Sequence, residues 1–262
     1  MRTRLPVLAV AALGLAGCGG PTISVPSGAQ PPPPGTYSRP LGMAVQEPAA
    51  EKDEGYVRDF VTTATSLTPE NELKWAIVHP KPNRYNFGPA DDLVDLAQRT
   101  GKRVRGHTRL FINELAAERP GPKRDALLGL AADLRARGAP LDGIGLQDHT
   151  TLDGAPSQAD LEDTMNRIAG LGLDVELSEV DVAIPPPTAT APAVLDAQAQ
   201  VFGATAAACA AVARCTGMTV WGVDDRWSWL GAARRPLLFD ADARPKPALA
   251  AVRAALGASD HG

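Results

Sequence analysis

Short apolar runs alternate with helical patterns along most of this chain, and this alternation limits the fold more than any other feature. Runs typical of buried strands lie at 41–45, 65–68, 103–107, 143–147, 175–179 and 218–222. Helical patterns lie between them, at 51–63, 89–100, 123–137, 158–171 and 196–213. Successive strands joined through a helix run parallel, by right-handed crossovers. The sequence therefore predicts an α/β fold, a parallel barrel of the TIM type.

Polar side chains collect where the predicted strands end. In a TIM barrel the carboxyl ends of the strands form the functional face, whereas the opposite face serves stability. A structural role alone does not predict acids, imidazoles and an indole at the same end. We therefore expect a functional site there, formed by Glu70, Asn71, His107, Gln147, His149, Glu179 and Trp221.

Charge and histidine content exclude some classes of function. The chain has 262 residues and a formal net charge of -4. That charge gives no reason to expect nucleic acid as a partner, because its phosphate backbone requires clustered Lys and Arg. The chain has only four histidines, and none lies near Cys209 or Cys215. We therefore expect neither a metal site nor a cofactor.

The amino terminus has the order of an export signal. Arg2 and Arg4 precede an apolar run that is too short to span a bilayer, so residues 1–17 are expected to be a cleaved signal peptide. The segment ends in Leu-Ala-Gly and Cys18, which resembles a bacterial lipobox. Lipidation of Cys18 would make an exported lipoprotein anchored to a membrane of the cell envelope. A plain signal peptide is the alternative.

The next segment is expected to be a linker. Residues 18–40 carry two glycines after Cys18 and a run of four prolines, which favours an extended spacer. A disordered terminus is a compatible interpretation. The barrel domain is then expected at 41–257. If Cys18 is lipidated, Cys209 and Cys215 remain as an even pair, which suggests a disulfide in an exported chain.

Several motifs are more specific than the alternation. Residues 68–75 read Thr-Pro-Glu-Asn-Glu-Leu-Lys-Trp, and residues 104–108 read Val-Arg-Gly-His-Thr. Residues 142–149 read Asp-Gly-Ile-Gly-Leu-Gln-Asp-His, and residues 177–181 read Leu-Ser-Glu-Val-Asp. In this order, and with Thr-Val-Trp-Gly at 219–222, they resemble the second, third, sixth, seventh and eighth strands of family 10 glycoside hydrolases, the retaining endo-xylanases.

The resemblance implies a role for each matching residue. A retaining glycosidase needs one carboxylate that attacks the anomeric carbon and a second carboxyl that protonates the leaving oxygen. Glu179 corresponds to the nucleophile, and His149 is expected to orient it. The Cys209–Cys215 pair matches a disulfide common in the family. The expected substrate contacts are Glu70, Asn71, Lys74, His107, Gln147, Trp221 and Trp229. Alternatively, His107 is a core histidine and Glu179 a structural ion-pair partner.

The sequence departs from the family in one region. The family's fourth strand ends in an Asn-Glu pair whose Glu is the general acid/base, and its fifth strand follows. Neither strand is recognisable between His107 and His149. A barrel unit takes about 30 residues, so two units or more are expected to be missing and the barrel incomplete. Elsewhere, Glu176 is expected to face the helix layer, because strand alternation turns its side chain away from that of Glu179.

Two hypotheses follow about the missing acid. In one, Glu114 of the Asn113-Glu114 dipeptide replaces it, and the protein hydrolyses β-1,4-xylan as a retaining endo-1,4-β-xylanase does. In the other, no carboxyl replaces it. The protein is then a catalytically impaired lipoprotein that binds xylan or a related β-glycan at the cell surface. A truncated product without function is a third interpretation.

Overall fold

The computed structural model describes residues 23–105, 110–185 and 191–257. The predicted signal segment, Cys18 and His107 lie outside the described residues. The described strands are β1 (Leu41–Val45), β2 (Ser66–Pro69), β3 (Arg103–Val104), β4 (Phe111–Glu114), β5 (Gly143–Leu146), β6 (His149–Thr151), β7 (Asp174–Ala183) and β8 (Cys215–Val220). The described helices are α1 (Glu47–Lys52), α2 (Glu54–Thr63), α3 (Trp75–Val78), α4 (Gly88–Arg99), α5 (Pro122–Ala136), α6 (Gln158–Gly170), α7 (Pro192–Ala211) and α8 (Pro247–Ala255).

The strands form an incomplete parallel barrel. Their order is β3-β2-β1-β8-β7-β5-β4, with β6 paired to β7 beside this path. All described strand pairs are parallel. Closure of a TIM barrel needs eight strands in one ring. In the described part of the chain, no strand joins β3 to β4, so the barrel is open between them.

In the described residues seven strands lie along the barrel path, one more than the loss of two units expected from the sequence would leave. β4 pairs with β5, which carries the motif of the sixth strand, so β4 takes the fifth place in the barrel. The fourth place is the vacant one. The short connection between Val104 and Phe111 explains this, because it cannot hold a further helix and strand.

Two glycines fix β4 against its neighbour. Phe111 lies opposite Gly143 and Asn113 opposite Gly145. A Cβ atom on Gly143 would lie 2.5 Å from the Phe111 ring, and one on Gly145 would lie 2.5 Å from Asn113 Oδ1. Because Gly143 and Gly145 have no side chains, β5 leaves room for the inward side chains of Phe111 and Asn113. This pairing turns Asn113 toward the barrel interior.

The hydrophobic core lies between the sheet and the surrounding helices. Its largest fully buried side chains include Tyr56 and Phe60 on α2, Phe202 on α7 and Leu161 on α6. The inside of a TIM barrel is normally filled by layers of branched side chains. Here the interior holds a cavity of about 960 Å³ instead. The reason is the missing strand together with small inward residues such as Gly42, Ser66 and Gly217.

The predicted disulfide is present. Cys209 near the end of α7 and Cys215 at the start of β8 are bonded, with their Cα atoms 5.3 Å apart. This distance lies within the usual range for disulfides.

Part of the predicted spacer packs against the barrel. Ile23 is buried, and its carbonyl accepts a hydrogen bond of 2.8 Å from Arg99 Nη2. The Tyr37 hydroxyl donates to the Thr63 carbonyl at 2.9 Å. Ile23 and Tyr37 therefore hold two points of this segment against the barrel. Among the helices that the structure describes, none combines the length and the apolar character needed to cross a membrane.

Candidate active site

An irregularity in β7 presents Glu179 to the cavity. Strict alternation would send Ser178 and Glu179 to opposite faces of the sheet. The register between β7 and β8 shifts between Leu177 and Val180, and both Ser178 and Glu179 line the cavity. The Glu179 side chain is 15% exposed, so its carboxylate can meet a ligand but is largely removed from bulk water.

Both carboxylate oxygens of Glu179 have partners. Asn113 Nδ2 donates to Oε1 at 2.6 Å, and His149 Nε2 lies 3.2 Å from Oε2. The Asn113 amide is itself oriented, because Ser178 Oγ donates to its oxygen at 2.6 Å. Burial opposes ionisation, yet hydrogen bonds from His149 and Asn113, with the charges of His149 and Lys74, lower the pKa of Glu179. The carboxylate is therefore ionised at neutral pH.

Asp181 holds His149 in place. His149 Nδ1 lies 2.8 Å from Asp181 Oδ2, and Trp229 Nε1 donates to the same oxygen at 2.9 Å. Burial of the imidazole favours its neutral form, but hydrogen bonds to Asp181 and Glu179 and their charges raise its pKa to about 9. At neutral pH the ring is therefore an imidazolium that donates from both nitrogens. Asp181 is fully buried, so this charge is shielded from solvent.

The chain turns sharply just before His149. Asp148 has a φ of 54°, a left-handed conformation that is uncommon outside glycine. Its backbone nitrogen donates to Glu118 Oε1 at 2.9 Å, which holds the turn. β5 ends there and β6 begins at His149 against Asp181 of β7. Gln147 and His149 both line the cavity, as expected, and this turn lies between them.

The residues after β2 form another wall of the cavity. Glu70 is buried, and Gln46 Nε2 contacts both of its carboxylate oxygens at 3.1 Å. Burial and the charge of Glu72 raise the pKa of Glu70 to about 7, against the lowering effects of Gln46, Lys74 and Asn71. Lys74 Nζ donates to Asn71 Oδ1 at 2.8 Å rather than to Glu70. This wall offers several hydrogen-bonding groups to a polar ligand.

An ion pair crosses the interior below these residues. Arg105, just after β3, pairs with Glu176 of β7 and also donates to Thr219 Oγ1 at 3.2 Å. Glu176 therefore lines the cavity, and the expectation that it faces the helices is wrong. The register with β8 shifts twice, between Val175 and Leu177 and between Leu177 and Val180. Glu176 and Ser178 share the inner face by alternation, and Glu179 joins them beyond the second shift.

Glu114 points away from the site. Asn113 lines the cavity, and alternation along β4 places the next side chain on the outer face. There Glu114 Oε1 lies 2.9 Å from Lys123 Nζ, and its side chain is 38% exposed. The hydrogen bond from Lys123 is the largest cause of its lowered pKa. A general acid needs a raised pKa and access to the leaving oxygen, so this placement does not fit the replacement of the missing acid by Glu114.

Comparison with known proteins agrees with this geometry. The model of the glycosyl hydrolase family 10 matches residues 35–109 and 108–255. The chain belongs to this family. The two matched stretches meet at residues 108–109, between β3 and β4, where the barrel is open. Among the residues that the structure describes, the site from which the family's general acid/base would come is therefore vacant.

Several relatives are xylanases. The chain is 37% identical over 163 residues to endo-1,4-beta-xylanase B of Neocallimastix patriciarum. The aligned part covers 62% of this chain and 18% of that protein. The chain is 28% identical to beta-1,4-xylanase of Dictyoglomus thermophilum, over 70% of this chain and 79% of that protein. It is 29% identical to endo-1,4-beta-xylanase 5 of Pyricularia oryzae, over 82% of this chain and 58% of that protein. The chain thus spans less than two thirds of two of these three relatives.

Solved structures share the fold. Xylanase 10B of Thermotoga petrophila, solved in complex with xylobiose, has a TM-score of 0.78 at 22% identity, over 84% of this chain and 94% of that chain. Endo-1,4-beta-xylanase XylE of Penicillium canescens has a TM-score of 0.77 at 23% identity, with the same coverage. The incomplete barrel therefore keeps the path of family 10 barrels outside the vacant fourth place.

Most of the residues singled out in the sequence share one cavity. Its lining includes Glu70, Asn71, Lys74, Gln147, His149, Glu179, Trp221 and Trp229. His107 lies outside the described residues, and Glu114 is not among the lining residues. Sequence reasoning missed Asn113, Asp181 and Gln46. Asp181 could have been found, because it stands two residues after Glu179 in the same motif.

We predict that replacing His149 by glutamine shifts the pH dependence of the first chemical step. In the wild type, the rate of glycosylation by a dinitrophenyl β-xylobioside should fall as pH rises through about 9, where His149 loses its proton. In His149→Gln this alkaline limb should disappear. The acid limb should move to higher pH, because Glu179 loses the cation that lowers its pKa. Single-turnover kinetics across pH would measure both limbs.

Stability gives an independent readout of the same charge. A histidine with a raised pKa contributes stability that is complete below its unfolded value of about 6.5 and is lost as pH rises through its folded value. Between pH 7 and 10 the wild type should therefore lose more stability than His149→Gln in urea unfolding. Equal losses, together with an unchanged alkaline limb in the variant, would show that His149 is not the charged group.

Proposed function

We propose that this protein is a retaining glycosidase of β-1,4-xylan type that works without its general acid/base, with Glu179 as the nucleophile. The observation that carries the proposal is the ionised carboxylate of Glu179, which faces a large cavity between the Asn113 amide and the His149 imidazolium. A carboxylate oriented by a hydrogen bond at each oxygen is suited to attack on an anomeric carbon.

The substrate class rests on the relatives and on the cavity. The relatives named above are xylanases, and one structural neighbour was solved with xylobiose. The cavity offers carboxylate, amide and ammonium groups for sugar hydroxyls at Glu70, Asn71 and Lys74. Trp221 and Trp229 add flat apolar faces beside His149, with ring centroids 6.4 and 5.0 Å from the imidazole. These features support a β-1,4-linked polysaccharide as the ligand.

The vacant fourth place determines which substrates can react. When Glu179 attacks, the bond between the anomeric carbon and the leaving oxygen breaks, and a sugar leaving group needs a proton. Three carboxyl side chains line the cavity among the described residues: Glu70, Glu176 and Glu179. The pKa of Glu70 is raised to about 7, but Gln46 holds both of its carboxylate oxygens in the wall after β2 and not at the vacant fourth place, and Arg105 binds Glu176. We infer that general acid assistance, worth about 10²–10⁴-fold, is lost on polymeric xylan.

A binding function is the second candidate, and the open barrel favours it. A cavity that keeps its sugar contacts while it lacks the proton donor would retain xylan without cutting it. The two functions differ in one property of Glu179. A nucleophile releases an activated aryl leaving group without any acid, whereas a binding residue releases none.

The proposed location is a cell envelope, through a lipid on Cys18. The support for it is the order of basic, apolar and Leu-Ala-Gly-Cys residues at the amino terminus. Ile23 packs against the barrel, so only a few residues would separate the lipid on Cys18 from the barrel. The barrel would then lie close to the membrane surface.

We predict that Glu179→Gln removes dinitrophenol release from dinitrophenyl β-xylobioside, while Glu114→Ala leaves the first turnover at the wild-type rate. Glutamine keeps the shape of the side chain but cannot form the glycosyl ester. Azide should raise steady-state turnover of the wild type about tenfold or more, because an anionic nucleophile needs no general base. Rapid-mixing absorbance and product analysis for xylobiosyl azide would measure these effects.

The Glu114→Ala variant is the matched control, since it removes a carboxylate of the same size outside the cavity. High turnover of polymeric xylan by the wild type, together with a fall of about 10²-fold in Glu114→Ala, would make Glu114 the acid after all. Release of dinitrophenol by Glu179→Gln at the wild-type rate would leave the binding function.

A separate prediction concerns the anchor. Mass spectrometry of protein extracted from membranes should find residues 1–17 removed and a diacylglyceryl group on Cys18. Cys18→Ser should move the protein to the soluble fraction, because a serine hydroxyl cannot form the thioether. A wild-type protein recovered in the soluble fraction with an unmodified Cys18 would contradict the proposal.

A further inference from the structure

A strip of exposed aromatic rings follows the cavity wall after β2. We call Trp75, His79, Tyr85 and Phe87 the aromatic strip. Trp75 is 70% exposed, Tyr85 61% and Phe87 50%, which is unusual for such large apolar side chains. Exposed apolar patches of this kind mark binding surfaces more often than they mark chance exposure. None of the roles assigned above uses these residues.

The rings of the strip are in contact with one another. The centroids of Trp75 and His79 lie 4.7 Å apart, with their planes 24° from parallel. His79 and Tyr85 are 4.6 Å apart, and Tyr85 and Phe87 are 5.9 Å apart with planes only 2° from parallel. Neighbouring rings therefore form a continuous aromatic surface rather than isolated exposed side chains.

Local structure builds this arrangement. Trp75 opens the one-turn helix α3, and the His79 nitrogen donates to the Trp75 carbonyl at 2.8 Å, which brings the two rings together. A turn with Asn83 at a φ of 61° then reverses the chain. Asn86 N donates to the Val78 carbonyl at 2.9 Å and closes the loop. Tyr85 is thereby carried back against His79.

The strip continues the cavity wall without a break in the chain. Leu73 and Lys74 line the cavity that holds Glu179, and Trp75 is the next residue. Polar side chains at Lys81, Asn83, Arg84 and Asn86 lie in the same loop as the rings. A mixture of flat apolar faces and hydrogen-bonding groups suits a sugar chain, whose rings have apolar faces and hydroxyl rims. The centre of a protein interface is instead depleted of lysine.

We infer that the aromatic strip is an additional binding site for the β-1,4-linked glycan, which extends the cavity and holds sugar units distant from Glu179. The inference rests on the proposed function, because it places one end of the same polymer in the cavity. A strip of this kind would increase affinity for long chains and leave the affinity for short ones unchanged. It would also serve a protein that retains polysaccharide more than it cuts it.

The test compares long and short ligands by calorimetry. Trp75→Ala and Tyr85→Ala should each weaken the Kd for xylohexaose about tenfold, equivalent to about 1.4 kcal/mol, and leave the Kd for xylobiose unchanged. Trp75→Phe keeps an aromatic face and should retain most of the affinity. Leu130→Ala is the matched control, because Leu130 is a 50% exposed apolar residue on α5 outside the cavity lining.

The outcomes separate this inference from the proposed function. If the wild type neither binds xylohexaose nor releases dinitrophenol, both are wrong. If it releases dinitrophenol but the alanine variants bind xylohexaose as the wild type does, only the inference is wrong. Light scattering tests whether a second copy of the chain, rather than a glycan, binds to the aromatic strip. A wild-type dimer that Trp75→Ala converts to monomer, with no change in xylohexaose affinity, would identify the strip as a contact between two copies and overturn the inference.

Discussion

The chain of charges from Asp181 through His149 to Glu179 is the interaction on which the site depends. Each member is largely buried, so each charge would be costly alone and is stabilised by its neighbour. The imidazolium lies between two carboxylates and donates to both, while Trp229 also donates to Asp181 and Asn113 to Glu179. The arrangement fixes the orientation and the ionisation of Glu179 together. Loss of one member would leave a buried charge without its partner.

The vacant fourth place of the barrel explains most of what is unusual elsewhere. It exposes the outer edges of β3 and β4, within the described residues, to solvent or to another chain. It leaves the interior hollow where side chains of a further strand would lie. Under the proposed function, it also removes the residue expected to protonate a leaving sugar. The proposed nucleophile, Glu179, lies on β7, whereas the expected acid belongs to the fourth place, so one deletion removes the acid and leaves Glu179 in position.

The sequence predicts the fold well where the signal is local. The run at 41–45 coincides with β1, Leu41–Val45, because both faces of that strand are buried and the run is continuously apolar. Helices α4 and α5 differ from their predicted bounds by about one residue at each end. The shared location of Glu179, His149 and Gln147 in one cavity could be predicted, because the motifs that contain them fix their places on neighbouring strands.

What could not be predicted depends on contacts between distant segments. β4 has a short apolar run, and it becomes a strand because Gly143 and Gly145 of β5 accept its side chains. Only that pairing decides that Asn113 faces inward and Glu114 outward, so recognising the dipeptide in the sequence was not enough to assign its two side chains to the two faces. The position of Glu176 likewise depends on where β7 shifts register against β8. No local pattern contains either piece of information.

Trapping of the glycosyl intermediate tests the central claim most directly. Without a general base, water should attack the intermediate slowly, so a xylobiosyl group should accumulate on the protein during turnover of dinitrophenyl β-xylobioside. Mass spectrometry of acid-quenched protein should find one added xylobiosyl unit, and peptide mapping should place it on Glu179. An unmodified protein at every time point, while dinitrophenol is released, or a sugar attached to another carboxylate, would contradict the account.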